Sequence, residues 1–392
     1  MLTIFICVIL IGIKKSIKEM FGKGYTYRTI HYILEKQHNY RLSFQYLQHK
    51  VIPKLGLKRR NIGIDIDRIF DMAVKEIKNG CSGCENLRYM LKLKHHCQIK
   101  RELSRDLVRL LDPRGIQRRK ARRLRRRQYI SRGPNYVWHI DGYDKLKPFG
   151  ISIHGCIDGF SRKVLWIEAG PTNKRPEVVA HYLMNTVNNL KGFPTKIRAD
   201  PGTENGMIAT IQATFTSNLN SVISGSSVLN QRIERWWGWL RQAKSDFWIN
   251  HFKCFEAEGI LVPNNIIHRT CLQFAYLPLI RKELKEIQLM WNSHRIRRQN
   301  KGDTLSGIPD VMYSNPEIFD CKDYILPACQ LVIDFFKNLC QTEGELYNEI
   351  DIDIATVLKD ICHNSEILTE AENIEDAKHL FVYLKEIMEI ML

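Results

Sequence analysis

The stretch Val137-Trp138-His139-Ile140-Asp141 decides the fold, because it is a short apolar run of β character that ends in an acid. Two further carboxylates stand in similarly unexpected places. Asp200 ends the run Ile197-Arg198-Ala199, and Glu234 lies in an aromatic-rich helical pattern, where a core contact would cost less than a charge. Three acids in such positions suggest a shared role.

The residues between the first two acids predict an α/β arrangement. Apolar runs predict strands at 136–141, 151–158 and 163–168, followed by a helix at 176–190 and a strand at 195–199. After three consecutive strands and a crossover helix, the fourth strand can lie beside the first.

A divalent metal explains why the three acids are present. Mg²⁺ takes oxygen ligands in octahedral geometry and keeps several waters, so a few carboxylates and substrate phosphate oxygens complete its site. Two such ions about 3.5–4 Å apart activate the attacking oxygen and stabilise the leaving one in a phosphodiester displacement. We therefore expect Asp141, Asp200 and Glu234 to bind Mg²⁺ or Mn²⁺, as two ions.

Neighbouring acids compete for this role. Asp158 precedes Gly159 in what reads as a turn between strands, and Glu204 lies in the first turn of a helix predicted at 203–216. Asp144 is a further competitor. A loop rich in Ser, Asn and Gly at 217–227 predicts flexibility just ahead of Glu234, which would let substrate and metal position that acid.

Longer motifs accompany the acids in a fixed order. They are Arg126-Arg127-Gln128-Tyr129, Gly133-Pro134-Asn135, Trp138-His139-Ile140-Asp141-Gly142-Tyr143-Asp144-Lys145-Leu146-Lys147-Pro148, Gly155-Cys156-Ile157-Asp158-Gly159-Phe160-Ser161-Arg162-Lys163, Arg198-Ala199-Asp200-Pro201-Gly202-Thr203-Glu204-Asn205-Gly206 and Asn230-Gln231-Arg232-Ile233-Glu234. Together they resemble the transposase and retroviral-integrase superfamily, and more narrowly the transposon-derived integrase core domain-containing proteins. The resemblance covers roughly Tyr25 to Phe274.

The resemblance implies a ribonuclease-H-like core whose D-D-E triad is Asp141, Asp200 and Glu234, with 33 residues between the last two. It implies a divalent-metal-dependent polynucleotidyl transferase that integrates DNA by strand transfer and acts on duplex DNA, including transposon ends, as a homo-oligomer. Two alternatives stay open. One is a domesticated protein that binds DNA without cutting or joining it, and the other is a plain nuclease of the same fold.

Charge supports a polyanionic partner. The 392 residues carry a formal charge of +17, but residues 316–392 hold 17 acids and 5 bases, so the preceding part of the chain carries +29. Such a body is typical of nucleic-acid binding, and the acidic tail is interpreted as a separate module.

A dense basic run precedes the first predicted strand. It consists of Arg118, Arg119, Lys120, Arg122, Arg123, Arg125, Arg126 and Arg127. This density indicates phosphate-backbone binding or a nuclear import signal, so we expect nuclear localisation. Arg241 and Lys244, seven and ten residues after Glu234 on a predicted helix, are further candidates for holding the DNA end. The tryptophans of that helix are interpreted as packing residues.

Two helix-turn-helix units are predicted ahead of the core, with an ordinary helical subdomain as the alternative. In the first, a helix at 27–36 is followed by Ser43 as a cap and by a helix that Pro53 interrupts. In the second, at 69–111, Ser104 is the expected cap. In transposases the second helix of such a unit is the candidate for the major groove.

These patterns predict five regions. They are a helical, helix-turn-helix-like DNA-binding region at 1–115, a basic linker at 116–134, an α/β catalytic core at 135–260 with a ribonuclease-H-like mixed sheet, a helical extension at 261–308 and an acidic helical region at 309–392.

Eleven cysteines without an even framework indicate a reducing compartment. The group Cys81, Cys84, His95, His96 and Cys97 has zinc-binding residue types, but the apolar residues between them have helix-core spacing, so zinc is not expected. The apolar start at 2–13 is too short to span a bilayer. It is interpreted as a buried helix or a misassigned start, and no membrane partner is expected.

Overall fold

The amino-terminal part of the chain is helical, as its apolar periodicity predicts. The computed structural model describes residues 2–57, 65–120, 131–225, 230–297, 305–340, 352–365 and 371–391. The helices before the first strand are α1 (Leu2–Gly22), α2 (Tyr27–Lys36), α3 (Phe44–Tyr46), α4 (Ile52–Lys54), α5 (Ile66–Lys78), α6 (Cys84–His95), α7 (Arg101–Leu111) and α8 (Pro113–Lys120). None of the described helices has both the length and the apolar character of a membrane span.

In the first predicted helix-turn-helix region both helices begin where predicted, but the second helix contains a π-helical turn. Helix α2 has the predicted bounds, and Ser43 caps α3 by accepting a hydrogen bond from the Tyr46 amide at 3.1 Å. Pro53 does not interrupt the helix, because a π-helical turn at Leu47–Val51 precedes it. This turn places Pro53 in the first turn of α4, where a missing N–H is tolerated.

The second predicted unit contains three helices, α5, α6 and α7. Their apolar faces share one core that includes Ile69, Leu87 and Leu107, so the interpretation of the apolar spacing as a helix core is confirmed. Ser104 is not a cap. It lies buried inside α7, and its hydroxyl donates to the carbonyl of Cys84 at 2.7 Å. A serine within a helix can bond a neighbouring helix as well as cap its own, which the local pattern does not distinguish.

A mixed sheet follows. Its strands, with one short accompanying strand, are β1 (Val137–Tyr143), β2 (Ser152–Asp158), β3 (Val164–Gly170), β4 (Gly192–Phe193), β5 (Lys196–Ala199) and β6 (Val222–Ser224). Five of them form the order β3-β2-β1-β5-β6, in which β1 pairs antiparallel with β2 and parallel with β5. The predicted placement of the fourth strand beside the first is confirmed, as is the ribonuclease-H-like mixed sheet.

Strand alternation sends neighbouring side chains of β1 to opposite faces. Along the chain, the helices after β3 are α9 (Pro176–Leu190), α10 (Gly206–Thr216), α11 (Gln231–Leu240), α12 (Asp246–Ala257) and α13 (Ile266–Ser293). Trp138 and Ile140 share a buried cluster with α9. His139 and Asp141 therefore point to the other face, where they contact α11.

From residue 316 onward, the acidic tail packs against the core instead of forming a separate module. Helix α14 (Pro309–Ser314) precedes this part, whose elements are β7 (Leu326–Pro327), α15 (Gln330–Cys340), α16 (Ile352–Asn364) and α17 (Ile374–Met391). Strand β7 pairs with β4, and Ile333 and Phe336 of α15 join the same apolar cluster as α9. Net charge reports mainly on surface positions, so it did not reveal the apolar face that packs on the core.

The chain divides into two compact units. One comprises Met1–Tyr129 with Asn292–Asn315, and the other comprises Ile130–Trp291 with Pro316–Leu392. This grouping differs from the predicted regions, since most of the helical extension and most of the acidic tail belong to the unit that contains the sheet.

Candidate functional site

Asp141 lies near the end of β1, on the face covered by α11. Its carboxylate is half-buried, and its Oδ2 accepts a hydrogen bond from Trp237 Nε1 at 2.8 Å. Opposite Asp141 in the sheet ladder is Gly155 of β2. A glycine at this position leaves the space above the sheet to the tryptophan ring.

Asp200 directly follows β5, the strand parallel to β1. The buried Asn205 holds this corner by donating from Nδ2 to the carbonyl of Asp200 at 3.0 Å. Asp200 Oδ1 is buried, yet it has no hydrogen-bond partner among the described residues. A buried carboxylate oxygen without a donor is destabilising unless a cation compensates it.

Glu234 lies in the first turn of α11. The buried face of this helix consists of Ile233, Trp236, Trp237 and Leu240. Glu234 itself is exposed, because it stands beside the apolar stripe and not within it. The packing role predicted for the tryptophans is confirmed for the two buried rings, Trp236 and Trp237.

Electrostatics couples the three acids. Burial raises the pKa of Asp141 to about 7, with the charges of Glu234 and Asp200 acting in the same direction and the Trp237 hydrogen bond opposing them. Partial desolvation of its carboxylate also raises the pKa of Glu234, helped by Asp200 and opposed by Lys145. The pKa of Asp200 is raised by burial and by Glu204. Each acid therefore resists ionisation.

The donor set fits a hard divalent cation. Carboxylate oxygens are the ligands that Mg²⁺ and Mn²⁺ prefer, and a cation would offset both the mutual repulsion and the unpartnered oxygen of Asp200. In the described ranges, however, no three His, Cys, Asp or Glu side chains form a group that could hold an ion as they stand. The charges of Glu234 and Asp200 act on Asp141, and binding one ion requires the three side chains to come closer together.

A buried hydrogen-bond network ties the strand of Asp141 to the helix of Glu234. The side chains of His139 and Asn230 are both buried, and His139 Nδ1 donates to Asn230 Oδ1 at 2.6 Å. Asn230 Nδ2 in turn donates to the carbonyl of Ile140 at 2.9 Å. Burial lowers the pKa of His139 to about 3, so the ring is neutral and has one N–H to donate.

Replacing Asn230 is expected to destabilise the fold. Asn230→Leu would remove the buried hydrogen bonds that Asn230 makes with His139 Nδ1 and with the Ile140 carbonyl, and each loss costs about 1–3 kcal/mol. We expect urea denaturation to show the free energy of unfolding falling by roughly 2–5 kcal/mol.

A matched control exists on α9, where Asn185 also contacts a histidine, His181, but at the surface. Asn185→Leu should change the free energy of unfolding by no more than about 0.5 kcal/mol. Equal effects of the two substitutions would contradict a structural role for the buried network.

The competing acids have other partners. Asp158 is fully buried and accepts hydrogen bonds from Ser161 and from the Asn135 amide, which confirms its interpretation as a turn residue. Asp144 is exposed and paired with Lys147 at 2.6 Å. Glu204 lies in the helical turn Thr203–Asn205 ahead of α10, as predicted.

The loop predicted to be flexible ahead of Glu234 contains regular structure. Leu219–Ser221 forms a helical turn, and β6 pairs in parallel with β5. Residues 226 and 227 lie outside the described residues. The polar composition predicted an irregular loop here, although short edge strands also tolerate Ser and Asn.

The predicted DNA contacts fall in different environments. Arg241 is partly exposed and its Nε pairs with Asp246 at 2.9 Å. Lys244 is buried, and its ammonium donates to Glu283 at 2.7 Å, so its position does not support a DNA contact. The prediction assumed regular α-helical spacing from Glu234 to Lys244. That spacing does not hold, because Arg241–Ser245 is a π turn.

Most of the basic run lies outside the described residues. This part consists of Arg122, Arg123, Arg125, Arg126 and Arg127. The side chains of Arg118, Arg119 and Lys120, at the end of α8, also lie outside them.

Three features of the site were not predicted. They are the Trp237 hydrogen bond to Asp141, the network of His139 and Asn230, and Lys145 as a positive charge acting on Glu234. A signal existed for the first: Trp237 stands three residues after Glu234 on one helix, and Gly155 interrupts a buried strand.

Comparison with known families agrees with the geometry. The sequence model of the integrase core domain family matches residues 128–307, a range that contains all three acids and the sheet. A search of curated proteins gave no match. Integrase core domains belong to the polynucleotidyl-transferase-type superfamily and generally use divalent metals. The chain therefore contains an integrase core domain at residues 128–307.

Proposed function

We propose that the chain is a DNA-binding, divalent-metal-dependent polynucleotidyl transferase that joins DNA by strand transfer. The observation that carries this proposal is the electrostatic coupling of Asp141 to Asp200 and Glu234, with the pKa values of all three acids raised. Such mutual destabilisation is typical of acids that act on a cation or a reacting group.

Each acid has a separate task in the proposed reaction. Asp141 and Asp200, on parallel neighbouring strands, would hold the ions, and Glu234 on α11 would complete the coordination of one ion. Bound Mg²⁺ or Mn²⁺ would supply charge stabilisation at the scissile phosphate. Lys145 adds a positive side chain beside Glu234, where it can attract a phosphate oxygen of the DNA.

Metal binding is the direct test of the site. The full chain should bind Mn²⁺ in isothermal titration, and Asp141→Asn should abolish binding while the circular dichroism spectrum stays unchanged. Asp144→Asn is the matched control, because Asp144 is an exposed acid three residues away that pairs with Lys147. Equal Mn²⁺ binding by the two variants would contradict a metal site at Asp141.

The proposed DNA contact rests on charge. The part of the chain before residue 316 carries +29, and eight of the ten residues from Arg118 are basic. We propose that this run binds the phosphate backbone and also directs the chain to the nucleus. The helices α2 to α7 would contribute helix-turn-helix contacts, and strand transfer to two DNA ends would require a homo-oligomer.

Neutralising the basic run should weaken DNA binding. A variant with Arg122, Arg123, Arg125, Arg126 and Arg127 changed to Gln is expected to lower affinity for duplex DNA, because each lost phosphate contact reduces the slope of log K against log salt by roughly 0.9. Fluorescence anisotropy across a salt series measures this slope.

The control makes the same charge change elsewhere. Lys322, Lys337, Lys359, Lys378 and Lys385 are the five bases of the acidic tail. Changing them to Gln should leave the slope unaltered. An unaltered slope in the arginine variant as well would show that the run does not contact DNA.

A further inference from the structure

We infer that Trp237 is a positioning residue that fixes the Asp141 carboxylate for metal binding. The inference rests on the proposed function, in which Asp141 is a metal ligand. It adds a residue that neither the triad pattern nor the family match assigns.

The hydrogen bond is held rigidly. Trp237 Nε1 donates to Asp141 Oδ2 at 2.8 Å, and Trp237 is only 4% exposed. Its ring lies 5.1 Å from the ring of Tyr143 and 4.9 Å from that of Trp236, between centroids. A ring fixed on both sides directs its N–H to one place, so it favours one orientation of the carboxylate.

Strand β2 leaves space for this ring at Gly155. Gly155 lies directly opposite Asp141 in the β1–β2 ladder. A Cβ at Gly155 would stand 2.8 Å from Trp237 Cη2, closer than real contacts allow. The absence of a side chain on β2 therefore permits the tryptophan to lie over the strand and reach the acid.

This arrangement acts on two ligands at once. The bond engages Asp141 Oδ2 and so fixes the orientation of the carboxylate that would bind the ion. Because Glu234 lies three residues before Trp237 on α11, the same bond also sets the position of that helix relative to β1. Partners of metal-ligating carboxylates typically change metal affinity by about 10–100-fold when they are removed.

Two neighbouring tryptophans give a matched experiment. Trp237→Phe removes the N–H that reaches Asp141. Trp236→Phe removes an N–H that is buried without a hydrogen-bond partner in the described residues. Mn²⁺ titration of the full chain should show at least a ~10-fold weaker dissociation constant for Trp237→Phe and a change below about 2-fold for Trp236→Phe.

A spectroscopic readout separates positioning from general packing. In the ¹⁵N-indole-labelled chain, which contains seven tryptophans, each variant identifies its own indole N–H signal by its loss. Adding diamagnetic Mg²⁺ should shift the Trp237 signal, whereas the Trp236 signal should stay in place. A merely structural tryptophan would not respond to the ion.

Gly155→Ala tests the same geometry without removing a polar group. The added methyl should displace the Trp237 ring, move its indole signal and weaken Mn²⁺ binding by about 10-fold. This variant decides the question if Trp237→Phe does not fold.

The outcomes distinguish the two proposals. If the wild type binds Mn²⁺ and Asp141→Asn does not, while the Trp237 and Trp236 variants bind equally well, the positioning role is overturned and the metal site stands. If the wild type binds no Mn²⁺, the proposed function fails and the inference fails with it.

Discussion

Joining of DNA ends should be lost when any one of the three acids is neutralised. Asp141→Asn, Asp200→Asn and Glu234→Gln are each expected to reduce strand joining by at least about 10³-fold, because together the carboxylates hold the ions and offset their charge. Combining two substitutions should add little, as is usual for groups that act as a unit. The assay incubates the full chain with Mg²⁺ or Mn²⁺, a supercoiled plasmid and short duplexes, and resolves nicked and covalently joined products on a gel.

The same assay separates the alternatives. Asp144→Asn should retain joining, since that acid pairs with Lys147 at the surface. Nicking without joining would favour a plain nuclease of this fold. Tight duplex binding with neither product in the wild type would favour a domesticated binder and contradict the proposed reaction.

Local patterns predicted the core of the fold well. Helix α9 has the predicted bounds, and the pairing of β1 with β5 follows from strand order and connection rules. Predictions failed where a distant contact decides. The acidic tail contributes β7 to a pair with β4, more than a hundred residues away. The periodicity of apolar residues within a segment does not indicate which distant strand it pairs with.

The candidate site shows the same division. The three acids were predicted because each interrupts a local pattern, and a motif in fixed order linked them. Their supporting contacts join Asp141 to Trp237 and His139 to Asn230, across 96 and 91 residues of chain. Nothing within either strand or helix specifies those pairs. Lys244 illustrates the converse, because a π turn changed a helical phase that the sequence pattern assumed to be regular.

The metal-free protein should become more stable when Asp141 is replaced by Asn. Burial raises the pKa of Asp141 from 3.8 to about 7, so ionisation favours the unfolded chain. This group's contribution to stability is fully present below its unfolded pKa and is lost as pH rises through about 7. Asparagine does not ionise. We expect Asp141→Asn to raise the free energy of unfolding at pH 8 by about 2–4 kcal/mol over the wild type, with no difference near pH 3.

Adding a divalent ion should offset most of this difference. Saturation at about 100 times the dissociation constant stabilises a protein by about 2.7 kcal/mol, a gain that the wild type should have and Asp141→Asn should lack. Asp144→Asn is the control of opposite sign: burial raises the pKa of Asp144, but hydrogen bonds from Lys147 and Asn173 outweigh it and lower the pKa overall. Its ionised form stabilises the fold, so Asp144→Asn should lower stability at pH 8 with or without the ion.

Urea denaturation at pH 3 and pH 8, with EDTA or Mg²⁺, measures the stability of all three proteins. If Asp141→Asn were less stable than the wild type in EDTA at pH 8, the carboxylate would be stabilising the fold by itself, and the argument for a cation at this site would lose its physical basis.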